Sequence, residues 1–564
     1  MPHPTYSKSP TGWRFWPLLL GICLIAGVIL RGVNLTQKPY WYDETYTSLR
    51  ISGYSETEVV QAISSDQVIS VEKLALYQRL SERRITDTVR GLAQEEPQHT
   101  PLYFVLVRIW AEIFGDSIAA VRSLSVLLSL LALPAMAWLC WELFGSALAA
   151  WLGAVLLAVS PFQVIYAQEA RPTALWTLTI LLSSAALLRA MRLKTARSWW
   201  LYGGLLSITL YSYLFSGLVA IAHSVYAIGL YVIGRERHVN STLRWFGGMM
   251  ALGLLLFSPW LLTVATNSDQ VSTVTGWMTT ENRPGLLEMV KLWGYHLSLS
   301  FVDRGELNLP LGLRLLFLLF QAAVRLTVLY ALYVLWRYAP LRTWLFVALL
   351  IGIPALALTL PDLLLGGKRS TIPRYFVPVY LGLELAVVYL MQHYSSAGSA
   401  SSTETTSLPP TKAQRLRLWR RFWQSAFGIV LAAGLSASVL IAQSPAWWNK
   451  GHHSRLLDLV AQINVTERPL VVSNAELGDL LALSHYLDPK ARLLLQPTCF
   501  ACAFNRDQDQ LSLPEIPSGY SDVFLYNPRP STSWLAQLEQ SNQFETISRV
   551  TDNWYREYWL WKKR

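Results

Sequence analysis

Asp43 and Glu44 lie inside the run Pro39-Tyr40-Trp41-Tyr42-Asp43-Glu44-Thr45-Tyr46, directly after the first long apolar stretch. Tryptophan and tyrosine of this kind belong at a membrane–water boundary. Two carboxylates at that depth cost energy unless they have a task or a cationic partner. The pair therefore reads as a reactive site facing one side of a bilayer. The plainer alternative is an acidic loop start that merely cradles the end of a helix.

Further polar residues recur at the ends of apolar stretches. Gln98-His99-Thr100-Pro101-Leu102-Tyr103 opens a short apolar segment, and Tyr166-Ala167-Gln168-Glu169-Ala170-Arg171-Pro172 links two longer ones. Lys368, Arg369 and Arg374-Tyr375-Phe376 open another. Carboxylate, imidazole, amide and guanidinium gathered beside lipid suit a lipid phosphate substrate. Arg374, Lys368, Arg369 and Arg171 would neutralise the phosphate, and a carboxylate would act as base. His99, Tyr103, Gln168, Glu169 and Tyr375 would line the substrate pocket. Each has a structural alternative: Glu169 with Arg171 as an ion pair, His99 as a helix-start hydrogen bonder, Lys368 and Arg369 as headgroup contacts. His452 and His453 lack a third ligand at a telling spacing and read as surface residues. Asn464-Val465-Thr466 fits the glycan acceptor pattern, a short motif that arises often by chance.

The elements that must position these groups follow from composition. Of 564 residues, 52% are hydrophobic and only 15% charged, which makes this a polytopic membrane protein. The net charge of +11 does not argue for nucleic acid, because much of the excess lies in short loops between spans. Cys23 and Cys140 fall in apolar spans as packing residues. Cys499 and Cys502 form either a local disulfide or half of a metal site, and the absence of a second pair favours the disulfide. Lys8 and Arg14 before an apolar run mimic a signal peptide, but no small-residue cleavage site follows, so a retained first span is expected.

Spans of about 20 residues fit at Trp13–Val33, Ile118–Cys140, Ala147–Ile165, Thr173–Ala190, Trp199–Tyr213, Phe215–Ile233, Leu243–Ala265, Leu311–Trp336, Trp344–Leu360, Pro373–Tyr394 and Phe422–Ala442, about eleven in all. Pro101–Phe114 is short and carries Arg108 and Glu112, so it reads as a helix in the interface. With it excluded, the Arg189–Arg197, Arg235–Arg244, Arg337/Arg342 and Lys412–Arg421 clusters fall on the side of the N-terminus, the positive-inside pattern for a cytoplasmic N-terminus. The loop 34–117 is then extracytoplasmic, as are 266–310, 361–372 and the tail. Helices over Glu56–Ile63 and Lys73–Leu92 make the first loop a small folded cap. The organisation expected is a catalytic membrane region over 1–394, a flexible cytoplasmic linker over 395–421, a last span over 422–443 and an extracytoplasmic α/β domain over 444–564. In that tail, strands are expected at 470–473, 492–495 and 523–526, and helices at Leu477–Leu487 and Ser533–Ser541. Its final residues, Trp554–Arg564, mix aromatic and basic side chains and read as lying against the headgroups.

The ordered set Trp41-Tyr42-Asp43-Glu44, His99-Thr100-Pro101-Leu102-Tyr103, Phe114-Gly115-Asp116 with Arg122, Ser160-Pro161 through Arg171, and Arg374-Tyr375-Phe376 resembles the GT-C glycosyltransferases. It is similar to family 39, the protein-mannosyltransferase-like branch that includes the aminoarabinose transferases, over about Trp13–Tyr394. The resemblance implies a polytopic enzyme, expected in a bacterial plasma membrane, that takes a sugar from a polyprenyl-phosphate donor on the extracytoplasmic face. The acceptor would be a lipid, polysaccharide or protein. The family's catalytic aspartate falls on Asp43, with Glu44 as a second, positioning carboxylate. Thr100 departs from the second proline often found there. No metal is obligatory for this chemistry, although relatives in the wider class use a divalent cation, so one near Asp43 and Glu44 is possible. The competing readings are a transporter or flippase of lipid-linked sugars and a non-catalytic scaffold. A transporter needs polar residues along the bilayer midplane, whereas span interiors here offer little beyond Glu384 and Arg325.

Overall fold

A computed structural model describes residues 16–64, 67–234, 239–279, 284–303, 305, 310–396, 410–447, 450, 456–502, 514–527, 534, 537, 543–551 and 557–564. Helices occupy most of each of the eleven expected stretches, with Ala147–Ile165 broken at Val159–Ser160. Among the described residues, seven helices are long and apolar enough to cross a bilayer individually, and a bent pair adds an eighth. Trp16–Gly32 and Ser216–Val232 are apolar but shorter. The helix Leu102–Phe114 buries Tyr103, Phe104, Val107, Arg108 and Ala111 and exposes Ile109, Ile113 and Phe114.

The bent pair has a local cause. Ala147–Ala158 and Pro161–Ala167 meet at 60° where Pro161 opens the second helix and cannot continue the first. The carbonyls freed at the break are taken by Arg31, which donates to Leu157 O at 2.8 Å and Ala158 O at 2.6 Å. Gly27 permits the approach, since a Cβ there would collide with the Ala158 carbonyl. The bend carries Tyr166 to Arg171 off the helix axis and toward the loops.

In the first loop, the expected helix Glu56–Ile63 is present, capped by Ser55. The expected continuous helix over Lys73–Leu92 is broken: Val71–Ala75 and a 3-10 turn Leu76–Gln78 end before Ile85–Glu95 begins. The reason lies in the backbone between them. Leu80 N–H donates to Asp116 at 2.8 Å, and Arg108 takes the carbonyls of Ser81 at 3.2 Å and Arg83 at 2.6 Å. Those groups are then lost to helix hydrogen bonding.

The tail strands are β2 (Pro469–Ser473), β3 (Arg492–Leu495), β4 (Asp522–Tyr526), β5 (Phe544–Thr551) and β6 (Glu557–Lys563). A short strand from the first loop, β1 (Ile69–Ser70), completes a six-stranded sheet in the order β1-β3-β2-β4-β6-β5. The central β3-β2-β4 pairings are parallel, and β2 is buried throughout. The tail is therefore joined to the first loop by sheet pairing, antiparallel from Ile69 to Leu493. β6 is hydrogen-bonded between β4 and β5, with Leu560 and Trp561 buried, because an extended run of bulky side chains fits a pleated surface. Helix Leu477–Ser484 lies where one was expected. The expectations for most of Ser533–Ser541, for His452 and His453, and for residues 397–409 of the linker fall outside the described residues. Residues 410–421, expected as flexible linker, are instead helical within Pro410–Gln443, whose helix continues unbroken into the last span. Cys499 and Cys502 are disulfide-bonded. Asn464 spends its amide inside the fold, donating to Tyr486 O and accepting from Asp488 N–H, both at 2.9 Å.

Candidate active site

The site starts from one helix end. Trp41 is extended and caps helix Tyr42–Ser52, and the Glu44 carboxylate reaches back to the Trp41 N–H at 3.3 Å. This places Asp43 and Glu44 in the first turn, about 100° apart around the helix. Glu44 faces inward and is fully buried. Arg122 grips both its oxygens, from Nε at 2.8 Å and Nη2 at 2.6 Å, and Ala170 N–H donates at 2.8 Å. Arg122 also donates to Leu35 O, to Lys38 O at 3.1 Å and to Pro39 O at 3.0 Å. Glu44 thus ties the helix to the Glu169–Arg171 turn and the approach to the first helix. Both its oxygens are engaged, so it offers no ready ligand for a cation shared with Asp43. Among the described residues no group of three or more His, Cys, Asp or Glu converges as a metal site.

Asp43 faces the other way. Its Oδ2 accepts from Arg374 Nη1 at 2.5 Å, and Arg171 Nε lies 3.9 Å from the same oxygen. Arg171 Nη1 also donates to the Asp43 main-chain carbonyl at 3.1 Å. The two side chains of the Asp43–Arg374 pair keep 17% and 19% exposure, against 0% and 1% for Glu44 and Arg122. Residues separated by 331 positions are therefore in direct contact.

His99 completes the group. Arg171 Nη2 lies 3.3 Å from His99 Nε2. A guanidinium can only donate, so Nε2 is the acceptor and the imidazole proton is on Nδ1. Burial first, and then the Arg171 charge, push the His99 pKa down to about 4, against the pull of Glu96. The ring is neutral near pH 7.

The other expected residues divide. Glu169 is fully buried and its Oε2 accepts from Lys450 at 2.9 Å. Burial, with Glu44 and Asp43 nearby, holds its pKa above the usual carboxylate range despite Lys450. Gln168 secures the end of the first helix, donating to Leu30 O at 2.9 Å and Val33 O at 3.0 Å while accepting from Lys38 at 2.9 Å. Tyr103 shares a hydrogen bond with Ser125 at 2.8 Å and is buried. Tyr375 donates to Met278 Sδ at 3.2 Å, with the Arg374 guanidinium 5.7 Å from its ring. Arg369 pairs with Asp362 at 3.0 Å, and Lys368 stands over the Trp277 ring at 5.3 Å. Of the four cations expected on the phosphate, Arg374 and Arg171 are the two in contact with Asp43. Two cations that the sequence reading did not place in the site, Arg122 and Lys450, support its carboxylates. Neither carries a local signal, since their partners are 78 and 281 residues away.

Residues 98–262 match a family model described as dolichyl-phosphate-mannose-protein mannosyltransferase. The matched segment includes His99, Arg122, Glu169 and Arg171. Over this segment the chain is similar to that mannosyltransferase family. A search of curated proteins finds no sequence match. The chain also aligns with two crystal structures of ArnT from Cupriavidus metallidurans, one bound to undecaprenyl phosphate and one in the apo state. Each is 14% identical, over 98% of either chain, with TM-scores of 0.48 and 0.46.

Proposed function

We propose that this enzyme moves a sugar from a polyprenyl-phosphate donor to an acceptor on the extracytoplasmic face, with Asp43 as general base and inversion at the anomeric carbon. The observation that carries the reading is the contact of Asp43 with Arg374, supported by Arg171. One carboxylate and two guanidinium groups meet at a partly open position, where a phosphate and an acceptor can both arrive. The description of the matched family names a sugar on a polyprenyl phosphate, which is the donor class such a cation pair suits.

The acceptor hydroxyl or amine gives its proton to Asp43 as it attacks the anomeric carbon. The bond from that carbon to the phosphate oxygen breaks, and the phosphate departs with the electron pair. Arg374 and Arg171 take up the charge that gathers on it. Before the donor arrives, Arg374 is held by Asp43 itself. A phosphate that draws Arg374 away releases the carboxylate, so the base is freed when there is a substrate to attack. His99, neutral beside Arg171, accepts from the guanidinium and orients it without adding charge. No step requires a nucleotide or a metal.

The test is Asp43→Asn in the full chain reconstituted in vesicles with a polyprenyl-phosphate sugar. Transfer should fall by ~10²–10⁴ while the thermal unfolding profile stays that of the wild type. Near-normal transfer by the folded variant would remove Asp43 from the mechanism.

A further inference from the structure

The C-terminal tail reaches the site through Lys450. Its Nζ sits 2.9 Å from Glu169 Oε2, with side-chain exposures of 4% and 0%. The same ammonium lies 4.3 Å from the Trp41 ring centroid, 4.6 Å from Tyr166 and 5.8 Å from Trp447. An aromatic cage of this kind suits a desolvated cation. The backbone leading to it is clamped. Trp447 Nε1 donates to Pro39 O at 2.8 Å, Asn34 to Ala442 O at 3.0 Å and Gln37 to Gln443 O at 3.1 Å.

Three carboxylates meet here, and each has its own cation: Glu44 with Arg122, Asp43 with Arg374, and Glu169 with Lys450. Glu169 Oε1 is buried without a hydrogen bond, so its charge is held by the Lys450 contact on the other oxygen. Arg374 and Asp43 are both within electrostatic reach of Lys450. A buried carboxylate stripped of its cation is strongly unfavourable and draws on whatever positive charge is near.

We propose that Lys450 is a positioning residue of the donor site: by pairing Glu169 inside the Trp41–Tyr166–Trp447 cage, it keeps Arg374 on Asp43, where the donor phosphate can take it, rather than drawn to Glu169. The tail is then a working part of the membrane site. This rests on the reading of Arg374 as the donor-phosphate cation.

The test uses the full chain in phosphatidylethanolamine–phosphatidylglycerol nanodiscs, with farnesyl phosphate as the probe and calorimetry as the readout. Lys450→Met should weaken binding about tenfold, and adding Glu169→Gln to it should restore binding to within about threefold of wild type. Rescue by removing a carboxylate is a result that a merely structural lysine does not give. Wild-type affinity in Lys450→Met, or a double variant as weak as the single one, overturns the inference. If Lys450→Met does not fold, the double variant decides alone: near-wild-type binding supports the inference and lost binding overturns it. Wild-type protein that does not bind farnesyl phosphate overturns the donor reading itself, and the inference with it.

Discussion

Asp43 and Glu44 are neighbours in one helical turn, yet their surroundings are opposite. Glu44 is saturated by a fully buried guanidinium and a main-chain N–H. Asp43 holds a partly exposed arginine by one oxygen and has a second at 3.9 Å. A saturated buried pair has no cheap alternative partner, because breaking it strands a charge in a medium that cannot solvate it. A partly solvated pair can exchange one anion for another at modest cost. The comparison separates a carboxylate locked in a buried pair from one held in a partly exposed pair. Sequence order alone does not reveal which is which.

The difference can be broken at either end. The largest effect is expected from Arg374→Gln, which removes the grip on the departing phosphate. Transfer should drop by ~10²–10³ with the melting temperature little changed, as read in a vesicle transfer assay beside a thermal melt. Near-wild-type transfer would show that Arg374 serves Asp43 only as a structural partner.

Glu44→Gln should do the reverse. Leaving Arg122 buried without its counter-charge is expected to cost about 3–5 kcal/mol of stability, seen as a lowered melting temperature. A Glu44→Gln enzyme that is fully stable but inactive would sink the distinction, because Glu44 would then be meeting substrate.

A smaller effect should come from behind the helix that carries Asp43. Glu56 is buried and accepts from Phe500 N–H, Ala501 N–H and Tyr46 OH, each at 2.8 Å. This seats the disulfide loop 499–502 against the helix that carries Asp43. Glu56→Gln loses one acceptor oxygen, at about 1–3 kcal/mol. Faster reduction of Cys499–Cys502 by dithiothreitol would report the loosened loop, and an unchanged rate would show that the carboxylate does not hold it. Burial, with Glu95 beside it, raises the Glu56 pKa to about 7. The folded state therefore keeps its proton where the unfolded chain has lost it. That contribution is present below about pH 4.5 and is lost as pH rises toward about 7.

The smallest effect concerns His99. Its folded pKa of about 4 lies below the ordinary 6.5, so the unfolded chain binds the proton first. Its contribution to stability is complete above about pH 6.5 and is lost as pH falls toward about 4. Replacing it with Gln should flatten that part of the stability–pH curve. It should leave the shape of the rate profile between about pH 5 and 8 unchanged. A missing inflection in that range would instead show that the imidazole titrates during turnover.

Much of this protein was legible from its residues because the signals are local. Long apolar runs read as helices over most of the expected stretches, Ala147–Ile165 being two helices rather than one, and short apolar runs flanked by turn residues read as β2, β3 and β4. Lys73–Leu92 misled because its pattern is helical while its backbone is claimed by Arg108 and Asp116 from other elements. Glu557–Lys563 was not legible as a strand, because aromatic and basic residues suit an interface and a pleated sheet equally.

By itself the sequence determined that the chain is a membrane protein, that Asp43 and Glu44 directly follow the first apolar span, and which arginines stand near other ends. Those facts follow from composition and from contacts a few residues apart. Tertiary structure alone decided that Arg374 meets Asp43, that Arg122 takes Glu44, and that Lys450 comes from the tail to Glu169. Such pairings join positions from 78 to 331 residues apart, and an ion pair's partner is set by where packed helices bring charges together rather than by any local pattern.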